Sequence, residues 1–274
     1  MRTCYRSLAS LTLVSCLLTT GCATFAHEHD ALCVPDRLDP SVGLVLVADG
    51  AGDFRATSEA LCNEIKAEKL PLRVETFVWS HGYLRVLADQ LAQGYARRQG
   101  QRLAELIACV RRAAPQQRII VVAHSAGSAV VLEAAAGLPP NTLDRIVLLA
   151  PSVPTDFDLR PALRCVREEI DVFSSSNDRG YLRTSDFFTS LARCRFCTAA
   201  GSTGFQPILE MPEDVALYQK LRDFPWEPRL IWTGHDGGHF GYYQQGYLRN
   251  FVLPLLGDQK SGSEIRTQKA EAGQ

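Results

Sequence analysis

The sequence predicts an α/β fold, a doubly wound and mostly parallel sheet with helices on both faces. Three observations carry this. Short aliphatic runs recur at residues 42–48, 119–123, 145–150 and 170–173, and they are continuous rather than alternating, as strands buried on both faces require. Segments with helical spacing separate those runs, the pattern of strands joined by crossover helices. The 274 residues, 46% apolar and 22% charged, describe an ordinary globular protein of one large or two small domains.

Taken in order, the chain opens on a targeting pattern. Arg2 and Arg6 precede a short apolar stretch at 8–18, too short to span a bilayer stably. Thr19-Thr20-Gly21-Cys22-Ala23 follows and resembles the lipobox of bacterial lipoproteins, with Thr19 where leucine is usual. The resemblance implies lipidation of Cys22, with plain secretion or processing at Cys16 as alternatives. Ala23 in place of an aspartate implies an outer-membrane anchor. Residues 1–21 thus read as signal peptide, 22–40 as tether, 41–256 as the folded domain and 257–274 as a polar, disordered tail. His27-Glu28-His29-Asp30 looks like a metal clip, but in a tether that nothing preorganises it reads as linker. Six thiols remain beyond Cys22, at Cys33, Cys62, Cys109, Cys165, Cys194 and Cys197, enough for three disulfides in an oxidising compartment. A net charge of −1 with scattered basic residues leaves no footprint for nucleic acid.

Within the domain, strand 42–48 ends in Asp49-Gly50-Ala51-Gly52-Asp53. A helix follows near 57–69, then a strand at 72–80. Leu84, Leu87, Leu91 and Tyr95, then Leu103, Leu106, Ile107 and Val110, mark a helical region that Gly94 and Gly100 should break. Beyond the strand at 119–123 come a helix, a strand at 145–151, a short helix at 159–166 and a strand at 170–175. The last strand is expected at Arg229-Leu230-Ile231-Trp232-Thr233 and a closing helix over 240–256. Between Asp178 and that last strand lie Phe187, Phe188, Leu191, Phe196, Phe205 and a short helix near 213–221. This segment forms either a small cap over the site or an apolar patch on the core.

The chemistry concentrates at Ala123-His124-Ser125-Ala126-Gly127, set between a strand and the helix formers of 129–136. Small residues flank the serine because so tight a strand-to-helix turn brings backbone very close. The bland alternative is an N-cap serine. A reactive serine needs an imidazole to take its proton and a carboxylate to fix that imidazole. Asp178 leaves the sheet two strands later, with Asp156 and Asp186 as weaker acids and an ordinary turn aspartate as the bland reading. His239 follows two glycines before the final helix, with His235 as the alternative base. His235, Asp236 and His239 could also ligate a metal, but no HExxH helix accompanies them, and no metal is expected. An oxyanion needs two backbone donors; Ala126 supplies one, and Ala51 or Gly50 the other.

With this strand order, Ser125, Asp178 and His239 resemble the α/β-hydrolase superfamily. More narrowly, the chain is similar to largely uncharacterised bacterial α/β-hydrolase proteins through Leu148-Leu149-Ala150-Pro151-Ser152, Ala199-Ala200-Gly201-Ser202-Thr203-Gly204-Phe205 and Gly237-Gly238-His239-Phe240-Gly241. It departs at Ala123, where glycine is usual, and in lacking an HGGG-type oxyanion motif. The resemblance implies serine-dependent acyl hydrolysis of a small-molecule acyl substrate, without a cofactor. An acyltransferase on the same residues, or a non-catalytic binding lipoprotein with this fold, are the alternatives.

Overall fold

The structure, a computed structural model, describes residues 38–91, 94–178 and 198–257. Cys22 and the whole signal region, Cys33, Asp186, Phe187, Phe188, Leu191, Cys194, Phe196, Cys197 and the tail beyond Gly257 lie outside the described residues.

Six strands form one sheet in the order β2-β1-β3-β4-β5-β6, every neighbouring pair parallel. They are β1 (Gly43–Ala48), β2 (Leu72–Thr76), β3 (Ile119–His124), β4 (Arg145–Leu149), β5 (Ile170–Ser174) and β6 (Leu221–Pro225). Strands β1, β3, β4 and β5 are buried along their whole length, which is why their sequences show no alternation. Helices α1 (Ala56–Ala67), α2 (Val86–Leu91), α3 (Tyr95–Ala113), α4 (Gly127–Ala136) and α5 (Arg160–Cys165) make the crossovers. One face of the sheet, with Val45, Val47, Ile120, Val122, Val147 and Phe173, shares its core with Leu61 and Ile65 of α1 and with Tyr242, Tyr247 and Val252 near the C-terminus. From β1 the chain steps outward to β2, then returns to lay β3 on the other side of β1. That switch point opens a crevice between the carboxyl ends of β1 and β3, where parallel sheets bind ligands.

The structure corrects the sequence reading in four places. The last strand is β6, not residues 229–233, which form a 3-10 helix, Pro228–Thr233, with Ile231 and Trp232 exposed. β6 is an edge strand, Leu-Arg-Asp-Phe-Pro, so it carries charge and no continuous apolar run. Gly94 does stand at a helix boundary, but Gly100 lies inside α3. A Cβ on Gly100 would come within 2.7 Å of the Glu133 Cβ and 2.9 Å of the Val130 carbonyl, so the glycine is there to let α3 pack on α4. The strand expected to reach residue 80 ends at Thr76. Cys62, Cys109 and Cys165 are free thiols, so three disulfides do not form. Residue Phe205 is buried in the core, and the short helix beyond it runs Pro212–Tyr218.

Candidate active site

Ser125 sits on the turn between β3 and α4 with φ 52, left-handed backbone that costs a non-glycine residue roughly 1–2 kcal/mol. The surroundings hold it there. Its N–H donates to the Leu149 carbonyl at 2.9 Å, and its own carbonyl accepts from Ser128 at 3.1 Å and Ser152 at 3.2 Å. Close approach explains the small residues of the motif. A Cβ on Gly127 would lie 2.3 Å from the Ala48 carbonyl oxygen, and one on Gly50 would lie 3.4 Å from the Ser125 Cβ. Ala126, in right-handed helical geometry, opens α4 directly behind the serine.

Asp178 leaves β5 on a short turn and is 2% exposed; its carboxylate accepts from His239 Nδ1 at 2.6 Å. That partner assigns the hydrogen to Nδ1 and leaves the Nε2 lone pair as the ring's basic site. The loops carrying the two residues are tied independently, since the Ser175 hydroxyl donates to the Gly237 carbonyl at 2.6 Å. His124, which the sequence reading did not single out, packs against this pair. Its Nε2 lies 3.1 Å from the His239 carbonyl and donates to it, and its ring stands 4.9 Å from the His239 ring. Burial pushes its pKa down to about 3, with the neighbouring His239 adding to the effect, so it stays neutral and fixes the His239 backbone without charge. Its place beside the serine is the one signal that could have flagged it.

His235 lies elsewhere. Fully buried, it accepts from the Gly237 N–H at Nδ1 (2.9 Å) and stands edge-on to Tyr242 and Tyr247, 4.3 and 4.6 Å between centroids. Burial lowers its pKa to about 4. It is a core histidine, and among the described residues no group of His, Cys, Asp and Glu is arranged to hold a metal. Because its folded pKa lies below the unfolded value of about 6.5, the unfolded chain binds the proton more readily. Stability is therefore complete above about pH 6.5 and is lost as pH falls toward 4, by about 2 kcal/mol from this group at pH 4.5. Denaturant titrations of wild type and His235→Gln at pH 7.5 and 4.5 check this. The variant should be less stable at pH 7.5 and show a shallower pH slope; an unchanged slope would refute the assignment.

The loop after β1 forms the facing wall. The Asp49 carboxylate accepts from the α1 N–H groups of Thr57 (2.8 Å) and Ser58 (3.2 Å), while the Trp79 indole donates to the Asp49 carbonyl at 2.8 Å. Buried Asp89 clamps the loop from outside, accepting from Gly52 N–H at 2.8 Å and from the Ser80 hydroxyl at 2.6 Å. Between the two walls lies a cavity of about 410 Å³ that Gly50, Ala51, Ser125 and His239 all line, with Phe54, Phe240 and Tyr243 supplying apolar surface. Its size is that of a small-molecule site. The structure thus brings Ser125, His239, Asp178, Ala51 and Gly50 to one place and leaves His235 outside it. Asp156, the weaker acid candidate, lies on the loop after β4.

A family model described as the alpha/beta hydrolase fold matches residues 78–168, the stretch that holds β3, the serine turn, α4 and β4. A comparison with curated proteins finds no relative. Among solved structures, the chain is similar to LpqC, a poly(3-hydroxybutyrate) depolymerase from Bordetella parapertussis, at 13% identity and a TM-score of 0.45, covering 79% of this chain and 83% of that one. It is also similar to a Trichoderma reesei cutinase (15%, TM-score 0.40, 81% and 80% covered). A third likeness is to the catalytic core of acetyl xylan esterase from Trichoderma reesei (9%, TM-score 0.39, 77% and 100% covered). At this distance, what those proteins act on says nothing of this chain's substrate. Parallel strand order, a strained serine between β3 and α4, and the family match across that turn agree: the chain has an α/β-hydrolase fold.

Proposed function

We propose that the protein is a serine hydrolase that cleaves a carboxylic ester or related acyl bond through an acyl-enzyme. The observation that carries this reading is the 2.6 Å bond from His239 to Asp178, with His239 and the strained Ser125 lining the same cavity. In this reading the Ser125 Oγ attacks the acyl carbon and passes its proton to His239 Nε2, while Asp178 keeps Nδ1 protonated and the ring in place. The N–H of Ala126 and that of Ala51 or Gly50 hold the oxyanion. Collapse expels the alcohol, which takes the proton from His239. Water then attacks the ester on Ser125, gives its proton to His239, and collapse releases the acid and returns a proton to Oγ. Fold alone does not establish this, because binding proteins also use it.

The test is covalent. Full-length protein in detergent is treated with a fluorophosphonate probe and its mass measured. One adduct on Ser125, absent in Ser125→Ala, is expected; a folded wild type without an adduct would leave a non-catalytic binding protein. The same reading puts the enzyme in the bacterial envelope, held at the outer membrane by lipid on Cys22. Recovery of Cys22→Ala in the membrane fraction would count against that anchor.

A further inference from the structure

We propose that Ser152 is a fourth catalytic group, an O–H donor to the Ser125 oxygen as charge develops there. The inference rests on the serine-hydrolase reading. Ser152 Oγ lies 3.1 Å from Ser125 Oγ, in direct contact with the reacting atom, and its N–H donates to the Ser125 carbonyl at 3.2 Å. The two serines are therefore joined through both side chain and main chain.

The local backbone is built to keep Ser152 there. It follows β4, the neighbour of the nucleophile strand. Ala150, two residues earlier, is left-handed at φ 47, a second strained non-glycine residue at adjoining strand ends. Gly201 locks the exit from β4: its N–H donates to the Pro151 carbonyl at 2.8 Å, and a Cβ on it would come within 2.7 Å of the Ala150 carbonyl carbon.

Proton direction follows from the chemistry. The Ser125 hydrogen must go to His239, so the remaining role for Ser152 is to donate into an Oγ lone pair. No proton changes owner in that contact; it is a hydrogen bond that strengthens as Oγ gains charge. The gain is larger in deacylation. There the ground state is an ester oxygen, a weak acceptor, and the transition state is a departing alkoxide-like oxygen. Only a bond that is stronger in the transition state raises the rate.

The experiment uses p-nitrophenyl butyrate with wild type, Ser152→Ala and Ser152→Thr, followed by stopped flow. Ser152→Ala should turn over about ten-fold more slowly. It should also show a burst of p-nitrophenol close to one equivalent, because the acyl-enzyme now accumulates. Ser152→Thr, which keeps the hydroxyl, should recover most of the rate without a burst. Fluorophosphonate labelling, which has no deacylation step, should slow much less. A Ser152→Ala protein that turns over like wild type overturns this inference and leaves the hydrolase reading standing. So does an equal loss in labelling and turnover with no burst, which marks a packing role. A wild type that releases no product overturns both.

Discussion

Asp178→Asn is expected to lower turnover by roughly 10⁴-fold while leaving the protein folded. The carboxylate accepts the Nδ1 hydrogen of His239 at 2.6 Å, and both side chains are 2% exposed, shielded from bulk solvent. An amide can present its NH₂ to that ring nitrogen, which then has to be the acceptor, and the hydrogen moves to Nε2. The tautomer that results cannot take a proton from Ser125. His124 does not compensate, because its Nε2 is committed to the His239 carbonyl. Steady-state hydrolysis of p-nitrophenyl butyrate and the rate of fluorophosphonate labelling measure the loss. His239→Ala should fall at least as far. A decrease of only a few-fold in Asp178→Asn would remove Asp178 from the catalytic set and send the search for the acid elsewhere.

Gly127→Ala should be the most destabilising single methyl in the protein's central turn. The added Cβ would lie 2.3 Å from the Ala48 carbonyl oxygen, 2.6 Å from that of Asp49 and 2.9 Å from the Ala48 carbonyl carbon. All three are backbone atoms at the end of a fully buried strand, so no side chain can rotate away. Relief requires α4 to back off β1, opening packing on both sides. A cost of about 3 kcal/mol or more follows, a large share of an ordinary domain's stability. The control is Gly137→Ala at the other end of α4, where the nearest atom would be 3.6 Å away. Denaturant midpoints that agree between the two variants would mean the turn yields more easily than its geometry allows. If Gly127→Ala folds, displacement of the Asp49–Asp53 loop should also slow labelling of Ser125, since that loop faces the serine.

The strands that matter most to the site were legible because burial on both faces leaves only aliphatic residues to choose from. Val45, Val47, Ile120, Val122 and Val147 are all 0% exposed, and each sits in a run that no other element explains as well. The serine turn was legible for a different reason: steric crowding at Gly127 and Gly50 restricts residue type locally. β6 escaped because an edge strand, half-buried, follows no such restriction, while the apolar Ile231 and Trp232 that imitated a strand lie on the surface. Gly100 misled for the same reason it is needed, since a glycine breaks a free helix but also admits a neighbouring one.

Chain order and composition therefore settled the class of sheet, the serine at its switch point and a short set of acids and bases behind it. Tertiary structure alone decided which members of that set meet. His235 and His239 stand four apart with similar neighbours, yet one is sealed among Tyr242 and Tyr247 and the other is bonded to Asp178 across 61 residues. His124 reaches the His239 carbonyl across 115 residues, and Ser152 reaches Ser125 across 27. Local sterics and burial write themselves into consecutive residues. Contacts between separate strand ends do not, because each depends on where the sheet register sets two loops that the chain leaves far apart.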